Sequence, residues 1–336
     1  MRPNMMRVRG VDEGAHVLFD PVPLPSWMPG GERAAIRRDI GRWVDSAAMR
    51  ALVGLSGGAW PTGDTGEILS DLDAFSAATW DFRRGRERVA IPVRQFDDGV
   101  RTRIGAAVTA LGLAGRNRPA ADHYDHVLIL GGMVRGCVAR SAFTADLGRH
   151  DVKLPNVYGL GSFRPTTDQE HASAGLLGLP FCRTEFDAMD GAVRLAFDLT
   201  HALSESASKT TGNDGHVIRR YRSIGHQSVT VVAAPSSEPA TRRANTADTY
   251  RFWGTAVADV QPGEQVLLVT TDLYVPFQHC DAIRVIGMAH DVGVDTVGVD
   301  VSTLADPELR QVFGAQNHLQ ELRSAIVSMN LLYRVL

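Results

Sequence analysis

The chain of 336 residues carries 35 Lys and Arg against 38 Asp and Glu, a formal charge of −3, with 44% hydrophobic residues. That is enough apolar material for one large or two modest packed domains, and it lacks the basic field that holds a polyanion by counterion release, so nucleic acid is not an expected partner. Cys137, Cys182 and Cys280 are scattered and form no Cys-x-x-Cys pair, which fits a reducing, cytoplasmic setting; the start is unlike a signal peptide and no run of about 18 apolar residues predicts a membrane span.

Between residues 32 and 113 the apolar side chains recur at helical spacing, as in Ile36, Ile40 and Val44, then Ile68, Leu72 and Phe75, then Val100, Ile104 and Val108. This predicts a helical N-terminal region over 1–120. The Gly-, Thr- and Asp-rich stretch 54–66 reads as a connection between its first two helices; it lacks the Gly-Lys-Ser/Thr ending of a phosphate-binding loop. Past the polar stretch 115–125 the pattern changes to short apolar runs, "HVLIL" (126–130), "NVYGL" (156–160), "VTVVAA" (229–234), "QVLLVT" (265–270) and "TVGVD" (296–300), with helical intervals between them. Runs apolar on both faces and separated by crossovers predict an α/β domain over 121–336, built on a parallel sheet of about five strands with helices on both faces. Asn245 is suited to cap one of these helices and Pro276 to open another. The small, polar stretch 203–215 reads as a mobile insertion in the crossover between the second and third strands.

Open parallel sheets bind ligands beyond the carboxyl ends of their strands. After the first strand come Gly131, Gly132 and Met133, where absent side chains let backbone N–H groups approach an anion, and Arg135 and Arg140 can supply a cationic fork for phosphate or carboxylate. A lone glycine pair also suits a plain strand-to-helix turn, and Gly-x-Gly-x-x-Gly is absent. Other strand ends offer Arg164, Thr166 and Glu170, then Glu238, Arg243, Asn245 and Thr246, then Thr270, Thr271, Asp272 and Tyr274. Each has a structural reading when taken alone: Asn245 as a helix cap, Asp272 closing an Asx-turn, Glu170 in a first helical turn. Their clustering at successive strand ends favours a ligand site.

The ordered motifs "VLILGG", "QEHA", "SEPATRRANTADT" and "VLLVTTDLYVPFQ" resemble the YdcF, SanA and ElyC-like family of bacterial proteins over about residues 122–336. Gly131, Gly132, Glu170, Glu238, Asn245, Thr246, Val269 and Thr270 stand at the matching places, Glu238 through a two-residue insertion. The resemblance implies a Rossmann-like fold and a nucleotide-like ligand; S-adenosylmethionine binding is associated with one member of that family. Where the family has His-Met-x-Arg, this chain reads Tyr274, Val275, Pro276, Phe277, so an imidazole and a guanidinium are lost. A tyrosine, with a pKa of about 10, is a poorer base at neutral pH than histidine.

No His-Glu-x-x-His or Gly-x-Ser-x-Gly motif is present, and no protein metal site is expected, although Glu170, Asp272 and a substrate phosphate would suffice for Mg2+. The residues predict a small-molecule enzyme, a hydrolase or group transferase. Glu170, Glu238, Asp272 and Tyr274 are its candidate catalytic groups, and Gly131, Gly132, Met133, Arg135, Arg164, Arg243, Asn245, Thr246, Thr270 and Thr271 its candidate ligand contacts. A non-catalytic ligand-binding protein and an S-adenosylmethionine-dependent transferase are the alternatives.

Overall fold

Each of the five apolar runs is a parallel strand in the computed structural model, which describes residues 18–84, 94–150, 152–208, 213–222 and 227–336. These strands are β1 (His126–Ile129), β2 (Asn156–Gly161), β5 (Ser228–Ala233), β6 (Gln265–Thr271) and β7 (Gly293–Val299). Among the described residues the sheet has seven strands, because β3 (Ser204–Ala207) and β4 (Val217–Arg222) add an antiparallel hairpin at one edge, giving the order β3-β4-β5-β2-β1-β6-β7. The expectation of about five strands is corrected accordingly.

The stretch 203–215 is likewise corrected. Ser204–Ala207 is an edge strand whose residues are all exposed, paired with β4 through backbone hydrogen bonds; 209–212 lie outside the described residues. An edge strand with no buried face leaves no apolar period to read. In β4, Arg219 masks the pattern because its guanidinium pairs with Asp190 and Glu205, each at 2.8 Å.

Among the parallel strands the spatial order is third, second, first, fourth, fifth. The chain therefore leaves the sheet in opposite directions after β1 and β6, which opens a crevice between their carboxyl ends. One sheet face is covered by α5 (Val134–His150) and α7 (Glu185–Ala196), which bury Val138, Met189 and Val193 against Val127, Ile129 and Val231. Between them in sequence lies the short α6 (Asp168–Leu176).

The other face carries α8 (Thr246–Phe252), α9 (Val275–Ala282) with its extension α10 (Met288–His290), and the long α11 (Ala315–Tyr333). Asn245 caps α8, its Oδ1 accepting from Asp248 N at 3.0 Å, and Pro276 stands in the first turn of α9. On this side α11 also packs against the N-terminal helices α3 (Thr65–Thr79) and α4 (Asp98–Ala110), which join α1 (Arg33–Val44) and α2 (Ala47–Leu55). Ser46 separates α1 from α2, its Oγ accepting from Met49 N, so the stretch 54–66 connects the second helix to the third.

Trp43, Leu52, Leu72 and Ile104 of the N-terminal helices belong to the same apolar cluster as Leu128 and Leu268 of the sheet and Leu322 and Ile326 of α11. The helical region and the sheet domain thus share a core. No helix among the described residues is long and apolar enough to cross a membrane.

Candidate functional site

The crevice between β1 and β6 is closed at its base by a buried arginine. Arg140, on α5, is 3% exposed; its Nη1 donates to Leu130 O at 2.7 Å and to Gly131 O, while Nε and Nη2 donate to Thr271 Oγ1 at 3.2 and 3.0 Å. It ties the two strand ends together across the switch point. This is also why glycines follow β1: a methyl group on Gly132 would come within 3.2 Å of Arg140 Nη1, and one on Gly131 would collide with the Glu185 carboxylate and the Leu160 carbonyl. The pair makes room for two charged side chains of the protein itself as well as forming the floor of a cleft.

The cleft has two lobes. The first, about 650 Å³, lies over the β1 and β6 ends and is lined by Gly132, Met133, Thr271, Tyr274, Phe277 and Phe313 among others. The second, about 560 Å³, lies over the β1, β2 and β5 ends and includes Ser162, Glu185, Arg242, Asn245, Thr246 and Thr249. Arg83, Gly131, Arg164, Arg243 and Gln278 line both. Four arginines and two glutamates line the first lobe, and four arginines and one glutamate the second, where Arg242 is paired with Asp248 and Glu238.

Glu170, expected as an acid or base, is held in another role. Arg164 grips it with both ends of its fork, Nη1 to Oε2 at 2.9 Å and Nη2 to Oε1 at 2.7 Å, and Thr167 N donates to Oε2 at 3.1 Å at the start of α6. Burial opposes its charge, but the guanidinium and the Thr167 hydrogen bond outweigh it and hold the carboxyl below its ordinary range. Glu170 is therefore an ionised anchor for Arg164, whose Nη2 also reaches Gly132 O at 3.2 Å.

The cleft carboxyl whose pKa is raised is Glu185, absent from the expected set. It accepts a hydrogen bond from Ser162 Oγ and stands 3.6 Å from Arg164 Nε. Burial pushes its pKa up against the opposing Ser162 hydrogen bond and the Arg164 and Arg140 charges. Its signal in the sequence is slight: Thr184 and Asp187 form a capping box that starts α7, and only the fold carries that helix start back to the end of β2.

Of the other expected residues, the cleft gathers Gly131, Gly132, Met133, Arg164, Arg243, Thr271 and Tyr274, with Asn245 and Thr246 in the second lobe. Four lie elsewhere. Arg135 turns away to Glu308, at 3.5 Å. Glu238 is exposed and pairs with Arg242 at 3.1 Å. Thr270 is fully buried on the opposite face of β6 from Thr271, its hydroxyl without a hydrogen-bond partner. Asp272 faces β7, packed against Gly298, and accepts from Leu273 N at 2.7 Å; burial, opposed by that hydrogen bond and reinforced by Asp300, pushes its pKa up to about 7.

Glu170 is engaged by Arg164 and Asp272 lies off the cleft, so the two are not placed to hold Mg2+ together. Among the described residues no group of three or more His, Cys, Asp or Glu side chains is arranged to hold a metal. The three cysteines are free and buried, and burial pushes Cys137 up to about 12 and Cys182 to about 11, against a nucleophilic role. Sequence reasoning also missed Arg83, from the segment after α3, which pairs with Glu321 of α11, and Gln278 of α9, whose Oε1 is buried without a partner.

An α/β protein with an arginine-lined cleft at the switch point of a mostly parallel sheet, to which the N-terminal region contributes Arg83, is thus defined. The family described as the Rv3785 N-terminal domain matches residues 28–112, which contain α1 to α4. The uncharacterized protein Rv3785 of Mycobacterium tuberculosis is 31% identical over 326 residues, covering 89% of this chain and 90% of its own length. The uncharacterized protein Mb3814 of Mycobacterium bovis matches with the same identity and coverage. The chain belongs to this Rv3785 family. No solved structure matches it.

Proposed function

We propose that the protein is a small-molecule enzyme, a hydrolase or group transferase, acting on a phosphorylated or nucleotide-like anion in a Rossmann-like cleft. The observation that carries this reading is the convergence of Arg83, Arg140, Arg164 and Arg243 on the glycine floor at the switch point. Arg140 and Arg164 have donors engaged by backbone oxygens, Thr271 and Glu170, so they are held in place and contribute their charge, while the exposed Arg243 is placed to bind directly.

Glu185 is the acid–base group in this reading. Protonated, it donates to the oxygen that leaves as an ester bond breaks; the carboxylate that results takes the proton of the incoming water or acceptor hydroxyl. The likeness of "VLILGG" and "VLLVTTDLY" to the YdcF, SanA and ElyC-like proteins supports the same ligand class, and the buried free thiols support a cytoplasmic location.

A second reading, a non-catalytic ligand-binding protein, draws on a specific observation: Glu170 is locked by Arg164, and Glu238 and Asp272 lie off the cleft. Thermal-shift measurements with inorganic pyrophosphate, nucleotides, sugar phosphates and S-adenosylmethionine, followed by mass spectrometry of stabilising ligands after incubation, separate the two. The enzyme reading expects product from the wild type and none from Glu185→Gln with binding retained. A ligand recovered unchanged with every co-substrate favours the binding protein, and no stabilisation by any of these anions rejects both.

A further inference from the structure

The two lobes stand side by side along the carboxyl edge of the sheet, one over β1 and β6 and the other over β1, β2 and β5, and their linings differ in kind. The first has an apolar wall: Met133 and Phe313 are half-buried, as are Tyr274 and Phe277, whose rings meet edge to face with centroids 6.1 Å apart. Such a wall suits a planar or apolar group. The second lobe is lined instead by Ser162, Asn245, Thr246 and Thr249 with the Glu185 carboxyl; Ser162 Oγ is given to Glu185, Asn245 Oδ1 to Asp248 N and Thr249 Oγ1 to Asn245 O, so Asn245 Nδ2 and the Thr246 hydroxyl are the groups turned to a ligand. Those groups suit a neutral, hydroxyl-bearing partner.

Between them the arginines are shared. Arg83, Arg164 and Arg243 line both lobes, so these guanidiniums lie in the middle of the cleft, Arg83 and Arg164 fixed there by Glu321 and Glu170, with room of about 650 Å³ on one side and about 560 Å³ on the other. A terminal phosphate would place the anion at one end of its ligand and fill only one side. At the same boundary Gln278 is 6% exposed, and its Oε1 has no hydrogen-bond partner, an acceptor that a ligand hydroxyl or N–H would satisfy.

We propose that the ligand has two parts joined through an internal phosphate linkage: an aromatic portion in the first lobe, a phosphodiester or pyrophosphate at the arginine boundary, and a polyhydroxylated portion in the second. This is the chemistry of a nucleoside diphosphate sugar. The inference rests on the anion-binding reading above and goes further by fixing the place of the charge within the ligand.

Isothermal titration calorimetry on the full chain tests it, with UDP-glucose as the two-part probe and UMP, glucose 1-phosphate and inorganic pyrophosphate as its pieces. UDP-glucose is expected to bind at least about tenfold more tightly than any piece. Phe277→Ala, with Phe277→Leu as the milder change if Ala lowers Tm, is expected to weaken UDP-glucose and UMP and leave glucose 1-phosphate unchanged. Thr246→Val is expected to weaken UDP-glucose and glucose 1-phosphate and leave UMP unchanged. If the pieces bind within about threefold of UDP-glucose, or if the two variants affect all ligands alike, the two-part ligand is overturned while anion binding stands. If pyrophosphate and the other pieces all fail to bind along with UDP-glucose, the anion reading falls and takes this inference with it.

Discussion

At the amino end of the sheet, charged and polar groups find one another across short distances. Tyr124 donates to Asp295 Oδ2 at 2.6 Å, Gln265 N donates to Asp125 Oδ2 at 2.8 Å, and His126 Nε2 lies 2.9 Å from Glu264 Oε2. None of these residues lines either lobe, and of the atoms in these groups His126 Nδ1 is the one buried without a partner. At the carboxyl end, Arg83, Arg140, Arg164 and Arg243 gather on open volume, two of them fixed by Glu321 and Glu170. Both ends carry buried polar side chains. What separates the two ends is geometry: the amino-end groups meet one another directly, while the carboxyl-end arginines line a cleft.

The sharpest way to break this contrast is at the ion pair the cleft does close internally. Glu170→Ala leaves Arg164 buried beside Glu185 without its main partner and should cost about 3–5 kcal/mol in urea unfolding; a loss below about 1 kcal/mol would show that the pair does not hold Arg164 in place. At the amino end, Tyr124→Phe removes the hydroxyl that donates to Asp295 and accepts from Ala121 N, and should cost about 1–3 kcal/mol while leaving ligand affinity unchanged. Altered affinity there would erase the distinction between the two ends.

Asp272 sharpens the comparison at the carboxyl end but off the cleft. Its folded pKa, about 7, lies above the ordinary 3.8, so between those values the folded state binds more protons than the unfolded, and stability falls as pH rises through that window. Asp272→Asn should therefore raise Tm at pH 8 by about 1–3 °C, on the order of 1–2 kcal/mol, with little change at pH 4. Equal effects at both pH values would place its influence in packing rather than charge.

The five parallel strands were legible because each is buried on both faces and reads as an uninterrupted apolar run; Val127, Val231 and Val269 are all fully buried. The hairpin was not, since Ser204–Ala207 is held by backbone pairing and its side chains face solvent. The same physics divides the site. Gly131, Thr271 and Asn245 directly follow or end strands or begin helices, positions that a sequence reveals. Arg83, Glu185 and Gln278 reach the cleft from elements whose placement depends on long-range packing, Arg83 through contact with Glu321, far along the chain. Alternation along β6 explains one error in detail: Thr270 and Thr271 are neighbours in sequence, yet only Thr271 faces Arg140.

The most direct test of the proposal that the arginines gathered at the switch point bind an anion is calorimetric titration of inorganic pyrophosphate into the wild type and Arg243→Ala. Arg243 is exposed and lines both lobes, so its loss should leave Tm within about 1 °C. The account predicts binding to the wild type that weakens with added salt, and an affinity lower by about tenfold or more in Arg243→Ala, the loss of one charge-assisted contact. Pyrophosphate that does not bind the wild type, or that binds both proteins equally well, would contradict it.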